Sequence, residues 1–269
     1  MWALITGASS GIGRDMARYL YEKFNYNLIL VARNKEKLES LSQELKENNT
    51  NKPKEIIIIE KDLSKQQNCK DLYEETKNIN IDFLINNAGF GEFGEFINTD
   101  LEKEINLINT NITAVHVLTK LYLKDMVNKN RGHILNVASI AGMEPGPLMA
   151  AYYASKAYVI RLTRAINKEL KKNKSNVKMS ILCPGPVNTN FNNVANVVFK
   201  APSMSSEKVA KYGIDKSLKG KLIIIPGALN KSVRFFSKIL PDAILEEASY
   251  HIQRRKSEWV TLAFITYFN

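Results

Sequence analysis

The chain has 269 residues, 45% hydrophobic and 24% charged, the composition of an ordinary soluble globular protein. Its net charge of +11 invites a nucleic-acid or anionic-membrane partner. The basic residues are nonetheless spread along the chain, and the clusters KKNK (171–174) and RRK (254–256) lack the interleaved aromatics of a single-strand binder, so no nucleic-acid partner is expected.

In chain order the sequence alternates between two patterns. Seven short runs rich in β-branched residues read as buried parallel strands: WALIT, YNLILVA, EIIIIE, DFLINNAG, GHILNVAS, VKMSILCPG and KLIIIPG. Between them lie helical stretches. Three are moderate in length: GRDMARYLYEKF, NKEKLESLSQELKEN and KQQNCKDLYEETKN. Two are long, at 100–128 and 153–174. This alternation predicts right-handed βαβ units and a doubly wound α/β fold, with seven parallel strands and helices on both faces. No Pro- or Ser-rich linker and no internal repeat divides the chain, so 1–269 is expected to be one domain. No apolar run approaches the roughly 18 to 20 residues of a membrane span, and no signal peptide is expected. Cys69 and Cys183 form neither a disulfide framework nor a metal-ligand spacing. A reducing cytoplasm is the expected compartment.

The first strand exits into TGASSGIG (6–13). Gly7 suits the tight turn, Gly11 a close backbone approach to pyrophosphate, and Gly13 close packing of helix on strand. The helix that follows offers unpaired N–H groups and its positive dipole end to a phosphate. The second strand ends in Ala32 and Arg33, with no acid there to accept hydrogen bonds from an adenosine 2′-hydroxyl. Arg33 can instead pair with phosphate oxygens through its planar fork. Ser9 can add a hydroxyl and Arg14 a second charge, so NADP is the expected cofactor.

Further along, Ser139 closes the fifth strand, and YYASK (152–156) places two tyrosines near Lys156. On a helix Tyr152 is four residues from the lysine and Tyr153 three, so spacing alone leaves both open. A free tyrosine titrates near ~10, and drawing it to about 7 takes roughly 4 kcal/mol of phenolate stabilisation. A nearby ammonium and an oxidised nicotinamide ring are expected to supply that. His116 and His133 have no partners at ligand spacing, and no metal is expected.

Taken together, TGASSGIG, NNAG (86–89), Ser139, Tyr152-x-x-x-Lys156 and PGPVNT (184–189) resemble the short-chain dehydrogenase/reductase family, in its compact single-domain branch. The resemblance covers residues 1 to about 190. It implies hydride transfer between a nicotinamide cofactor and a carbonyl or alcohol. It also selects Tyr152 over Tyr153, because the family serine lies thirteen residues before its tyrosine. By the same resemblance Ser139 orients the reacting oxygen, Lys156 also contacts the nicotinamide ribose, and Asn111 anchors a proton-relay water. Cofactor contacts are implied at Gly7, Ser9, Ser10, Gly11, Ile12 and Gly13. They are implied also at Asp62 and Leu63 (adenine edge), Asn86, Ala88 and Gly89 (adenosine ribose), and Pro184, Gly185, Val187 and Thr189 (nicotinamide side). Ser10 departs from the base that phosphate-preferring members often carry before the middle glycine.

The preferred function is an NADP(H)-dependent carbonyl reductase acting on a small molecule. The alternatives are an NAD-preferring alcohol dehydrogenase and a non-catalytic dinucleotide-binding regulator. Residues 190–217 are expected to form a substrate lid, with Phe191, Val194, Val197, Val198 and Phe199 facing Met143, Pro145 and Leu148. The long helices carry apolar residues on more than one face, which with the family resemblance points to a homodimer or homotetramer. The apolar tail 258–269 is expected to pack on its own or a neighbouring subunit.

Overall fold

The computed structural model describes residues 1–48, 54–189, 191, 203–237 and 239–267, with the side chains of residue 233 and of those after 254 outside that description. Seven strands form one parallel sheet: β1 Trp2–Thr6, β2 Asn27–Ala32, β3 Ile56–Glu60, β4 Ile81–Asn86, β5 His133–Val137, β6 Lys178–Leu182 and, after a two-stranded annex (β7 Val187–Asn188, β8 Met204–Ser205), β9 Ile223–Ile224. Their order is β3-β2-β1-β4-β5-β6-β9. The chain therefore winds outward from β1 in one direction and then, from β4, in the other. That reversal opens a crevice beyond the carboxyl ends of β1 and β4.

Strand periodicity explains the two-sided core. Ala3 and Ile5, Leu28 and Leu30, and Phe83 and Ile85 face one side, where α1 (Gly11–Phe24), α2 (Lys35–Glu47) and α7 (Ser206–Leu218) cover them. Leu4, Ile29, Leu84, Ile134 and Met179 face the other, under α3 (Gln66–Thr76), α5 (Val115–Asn128) and α6 (Ala150–Lys172). The central strands β1, β2, β4 and β5 are buried on both faces, which is why they read as continuous apolar runs, whereas the edge strand β3 is only partly buried.

Three departures from the sequence expectation matter for the site. The stretch 100–128 is not one regular helix: α4 (Leu101–Ile108) passes through a π-helical segment, Asn109–Ala114, into α5. Wide turns of this kind recur at functional sites, and this one contains Asn111. The expected lid, 190–217, is only partly a loop. Its second half is β8 and most of α7, whose Val209, Ala210, Gly213 and Ile214 are buried against the sheet. Val194, Val197, Val198 and Phe199 lie outside the described residues. Lastly, α8 (Ala228–Phe236) is followed by α9, which runs as one helix from Asp242 to Tyr267 and takes in most of the expected tail. Among the described residues no helix is long and apolar enough to cross a membrane.

Candidate active site

The crevice is a cleft of about 560 Å³. The chain leaves β1, β2, β3, β4, β5 and β6 into its walls, because in a parallel sheet every strand ends on the same edge.

At its centre lies the glycine turn. Gly7 has φ +66°, and a Cβ there would stand 2.8 Å from the Asn87 amide nitrogen and 2.9 Å from Ala88 Cα. Only glycine both adopts that conformation without strain and leaves room for the neighbouring loop. The two loops are tied together. The Asn87 and Ala88 backbone N–H groups both donate to Thr6 Oγ1 at 3.0 Å, and Asn87 Nδ2 donates to the carbonyls of Thr6 and Gly7 at 3.0 and 3.2 Å. A Cβ on Gly13 would collide with Gly7 O and the Asn87 side chain, so Gly13 serves packing and does not line the cleft. Helix α1 begins beside the cleft at Ser10, whose side chain makes no capping hydrogen bond, and its first turn carries no acid. Uncapped N–H groups at a dipole's positive end, on an open wall, fit a pyrophosphate.

Toward β2 and β3 the cleft is lined by Arg33, Asn34, Lys37, Lys61, Asp62 and Leu63. Asn34 caps α2 by accepting from the Lys37 backbone N–H at 2.7 Å, which fixes where Lys37 leaves the helix. Lys61 is held by Glu75 at 2.7 Å, and Asp62 accepts from the Ser64 N–H at 3.1 Å. Sequence reasoning found Arg33 but missed Lys37, one helical turn later. That spacing was the signal available. Arg14 pairs with Asp15 at 3.5 Å and is not among the lining residues.

Beyond β5 the reactive groups meet. Ser139 Oγ accepts from the Ala141 N–H at 3.1 Å and donates to the Pro184 carbonyl at 3.3 Å, and it shares the cleft wall with Tyr152. Lys156, one turn along α6 from Tyr152, donates to the Val137 carbonyl at 3.1 Å. Its ammonium stands 5.7 Å from the Tyr152 ring centroid. Burial pushes Tyr152 up to about 12, opposed by the nearby Ser139 hydroxyl. Burial likewise pushes Lys156 down to about 8, opposed by the nearby Cys183 thiol. The expected fall of Tyr152 toward neutrality is thus reversed in the protein alone. Desolvation of the phenolate outweighs a lysine whose hydrogen bond goes to a carbonyl.

Of the residues singled out from sequence, Gly7, Ser9, Ser10, Gly11, Ile12, Arg33, Asp62, Leu63, Ala88, Gly89, Ser139, Tyr152, Lys156, Pro184, Gly185, Val187 and Thr189 line this one cleft. Asn86 does not. It is a buried strand residue donating to Thr119 at 3.0 Å and Asn136 at 2.8 Å, and its neighbour Asn87 takes the wall position. Asn111 lies just behind the wall. Its amide donates to the Phe90 carbonyl (2.9 Å) and to Ser155 Oγ (3.0 Å), while its oxygen accepts from the Phe90 N–H (3.1 Å). Its side chain is fully used in tying the loop after β4 to α6. A Cβ on Gly89 would stand 2.8 Å from Asn111 Oδ1 and 3.3 Å from Lys156 Nζ, so three motifs converge at that glycine.

The far end is walled by Ile140, Glu144, Met149, Tyr153, Phe191, Ile252 and Gln253. Tyr153 packs over Gly146 and is hydrogen-bonded by Gln253 of α9. Phe191 leans on Tyr152, with ring centroids 5.3 Å apart. Met149 and Glu144 hold positions expected of Met143, Pro145 and Leu148. Ile252 and Gln253 carried no sequence signal, lying a hundred residues from Tyr152. His116 and His133 are elsewhere. His116 shares a 2.7 Å hydrogen bond with Tyr158, and His133 is buried between Ser180 and Ser217.

A doubly wound parallel sheet, a glycine turn at its switch point, and a serine, tyrosine and lysine at one end of the crevice define a dinucleotide-binding fold built for redox chemistry. A family model described as short chain dehydrogenase matches residues 1–197, and the chain belongs to that family. Rat (Rattus norvegicus) 17-beta-hydroxysteroid dehydrogenase type 3 is 33% identical over 193 residues, 70% of this chain and 60% of the relative. Very-long-chain 3-oxoacyl-CoA reductase of Anas platyrhynchos is 34% identical over 220 residues, 79% of this chain and 68% of the relative. The chain spans between about half and three fifths of the length of the first such relatives. Among solved structures, a short-chain dehydrogenase from Sphingobium yanoikuyae in complex with NADPH superposes with a TM-score of 0.78 at 26% identity, covering 90% of this chain and 97% of that one.

Proposed function

We propose that the protein is an NADP(H)-dependent carbonyl reductase. The observation that carries this reading is the meeting of Ser139, Tyr152 and Lys156 on one wall of the cleft, with the buried Lys156 ammonium 5.7 Å from the Tyr152 ring centroid. A nicotinamide dinucleotide, when bound, supplies the hydride. The N-terminus of α1 and the glycine turn would hold the pyrophosphate, and Pro184 to Thr189 the nicotinamide side. Ser139 would hydrogen-bond the substrate's carbonyl oxygen and fix it against Tyr152. Tyr152, kept protonated by its burial, would donate its proton to that oxygen as negative charge develops there. Lys156 would hold a positive charge behind the resulting phenolate. A phenol that resists ionisation suits the reductive direction, since oxidation needs the phenolate first.

Arg33, Lys37 and Lys61 gather at the β2–β3 end of the cleft, and Arg33 and Lys37 have no acidic partner among the described residues. They would take the 2′-phosphate that distinguishes NADP from NAD. Asn111 supports the site through Phe90 and Ser155, so any water relay there would have to use its backbone. Reduction of a panel of aldehydes, ketones and ketoesters, followed by NADPH absorbance, tests the reading. Consumption at least tenfold more efficient with NADPH than with NADH is expected, a difference of about 1.4 kcal/mol. Absence of turnover with every carbonyl, or equal use of both cofactors, would sink the corresponding half of the proposal.

Assembly is a second part of the reading. Leu101, Ile105 and Ile108 form an exposed stripe on α4, continued by Phe96 and Ile97 in the preceding loop. A contiguous apolar stripe of this kind marks an association surface. A homo-oligomer through α4 to α6 is expected, with sedimentation well above 30.5 kDa.

A further inference from the structure

The far end of the cleft holds one acidic side chain that the catalytic reading does not use. Glu144 follows the short 3₁₀ turn Ile140–Met143 and lines the cleft beside Tyr153. The cleft lining also includes the apolar Ile140, Met149, Phe191 and Ile252. Its carboxylate makes no hydrogen bond and no ion pair with any described residue. Tyr153, the neighbouring polar group, is already engaged by Gln253. Glu144 is half-buried, and burial raises its pKa above the ordinary carboxylate value. A partly desolvated acid with no internal partner is unfavourable unless something entering the cleft supplies a donor or a cation.

We propose that Glu144 is a specificity-determining residue, selecting carbonyl substrates whose distal group is a cation or hydrogen-bond donor and rejecting those with a distal carboxylate. The inference rests on the reductase reading above and deepens it. The reacting carbonyl lies at Ser139 and Tyr152, the apolar body against Phe191, Met149 and Ile252, and the distal group at Glu144. A substrate donor replaces the water the carboxylate loses when the cleft fills. A substrate carboxylate brings like charge into a poorly hydrated space, where repulsion is screened less than at the surface.

The test uses acetophenones with aminomethyl, hydroxymethyl, ethyl or carboxylate groups in the para position, assayed with NADPH on the full chain. The unmodified protein should prefer the aminomethyl to the carboxylate compound by tenfold or more in kcat/KM, with the other two between. Glu144→Gln should compress that range several-fold, and Glu144→Lys should invert it. A purely structural role would instead scale all four substrates together in both variants, and that result, or no preference in the unmodified protein, would overturn the proposal. Calorimetric titration of the same four ketones reads the preference without turnover. Binding in the expected order without reduction of any compound would keep the inference and refute the reductase reading.

Discussion

At the residue scale, YYASK holds two tyrosines with different surroundings. Tyr152 lines the cleft with Ser139 and has the Lys156 ammonium near its ring, whereas Tyr153 is bonded to Gln253 and packed over Gly146. Tyr152→Phe should lower turnover by roughly 100- to 10,000-fold, with NADPH affinity largely kept. Tyr153→Phe should cost less than tenfold in kcat, with its main effect on KM, because it loosens the wall without touching the proton path. The reverse order in steady-state kinetics would mean that the catalytic assignment is exchanged. The pH profile follows from Lys156. Its pKa is lowered to about 8, so the ammonium is present below that pH and lost above it. Reductive kcat/KM should be level from pH 6 to about 8 and decline above, and Lys156→Arg, if active, should move the decline to higher pH. At the opposite end of the cleft, Arg33→Ala and Lys37→Ala should each erode the preference for NADPH over NADH while changing kcat at saturating cofactor little. The ratio of the two kcat/KM values is the readout.

At the element scale, the π-helical segment between α4 and α5 is the least expected feature. Sequence periodicity predicts a continuous helix over 100–128, and the backbone departs from it for six residues around Asn111. The wide turn delivers a buried amide to the Phe90 backbone and to Ser155, coupling the loop after β4 to the helix that carries Tyr152 and Lys156. Asn111→Leu leaves two backbone groups of Phe90 without those partners. A loss of about 1–3 kcal/mol in urea unfolding is expected, together with reduced kcat. Unchanged stability would show that the tether is dispensable. The exposed stripe on α4 makes a separate prediction. Ile105→Glu, at its centre, should shift sedimentation toward the 30.5 kDa monomer without lowering the unfolding midpoint of the isolated subunit.

At the scale of the whole molecule, stability is coupled to pH through the core. His133 is stacked on Phe83 with ring centroids 4.8 Å apart and is held between Ser180 and Ser217. Burial lowers its pKa to about 3, helped by Lys178. Between pH 6.5 and about 3 the unfolded chain therefore binds a proton that the folded chain does not. Stability due to the neutral ring is present above pH 6.5 and is lost as pH falls, at about 1.4 kcal/mol per unit, or about 2 kcal/mol by pH 5. Urea unfolding at pH 7 and pH 5 checks this, and His133→Phe should flatten the difference. A slope unchanged in that variant would assign the acid sensitivity to other groups.

The sequence by itself determined the parts that local chemistry controls. Seven short apolar runs read as strands, and their alternation with helices points to parallel pairing around a switch point. A glycine at Gly7 is demanded by a left-handed turn pressed against Asn87 and Ala88, so the motif and its place in the fold were legible together. The spacing of Tyr152 and Lys156 needs only a helix. Tertiary structure decided what depends on neighbours far along the chain. Asn86 and Asn87 are adjacent in NNAG, yet strand alternation sends one into the sheet and the other to the cleft. The sequence pointed to a lowered Tyr152 pKa and the protein alone raises it, because burial is set by packing against other elements and the Lys156 hydrogen bond goes to the Val137 carbonyl. Glu144, Ile252 and Gln253 had no motif to announce them. They meet only because α9 returns across the end of the crevice, and no periodicity in a sequence encodes where a helix lands on a partner so distant along the chain.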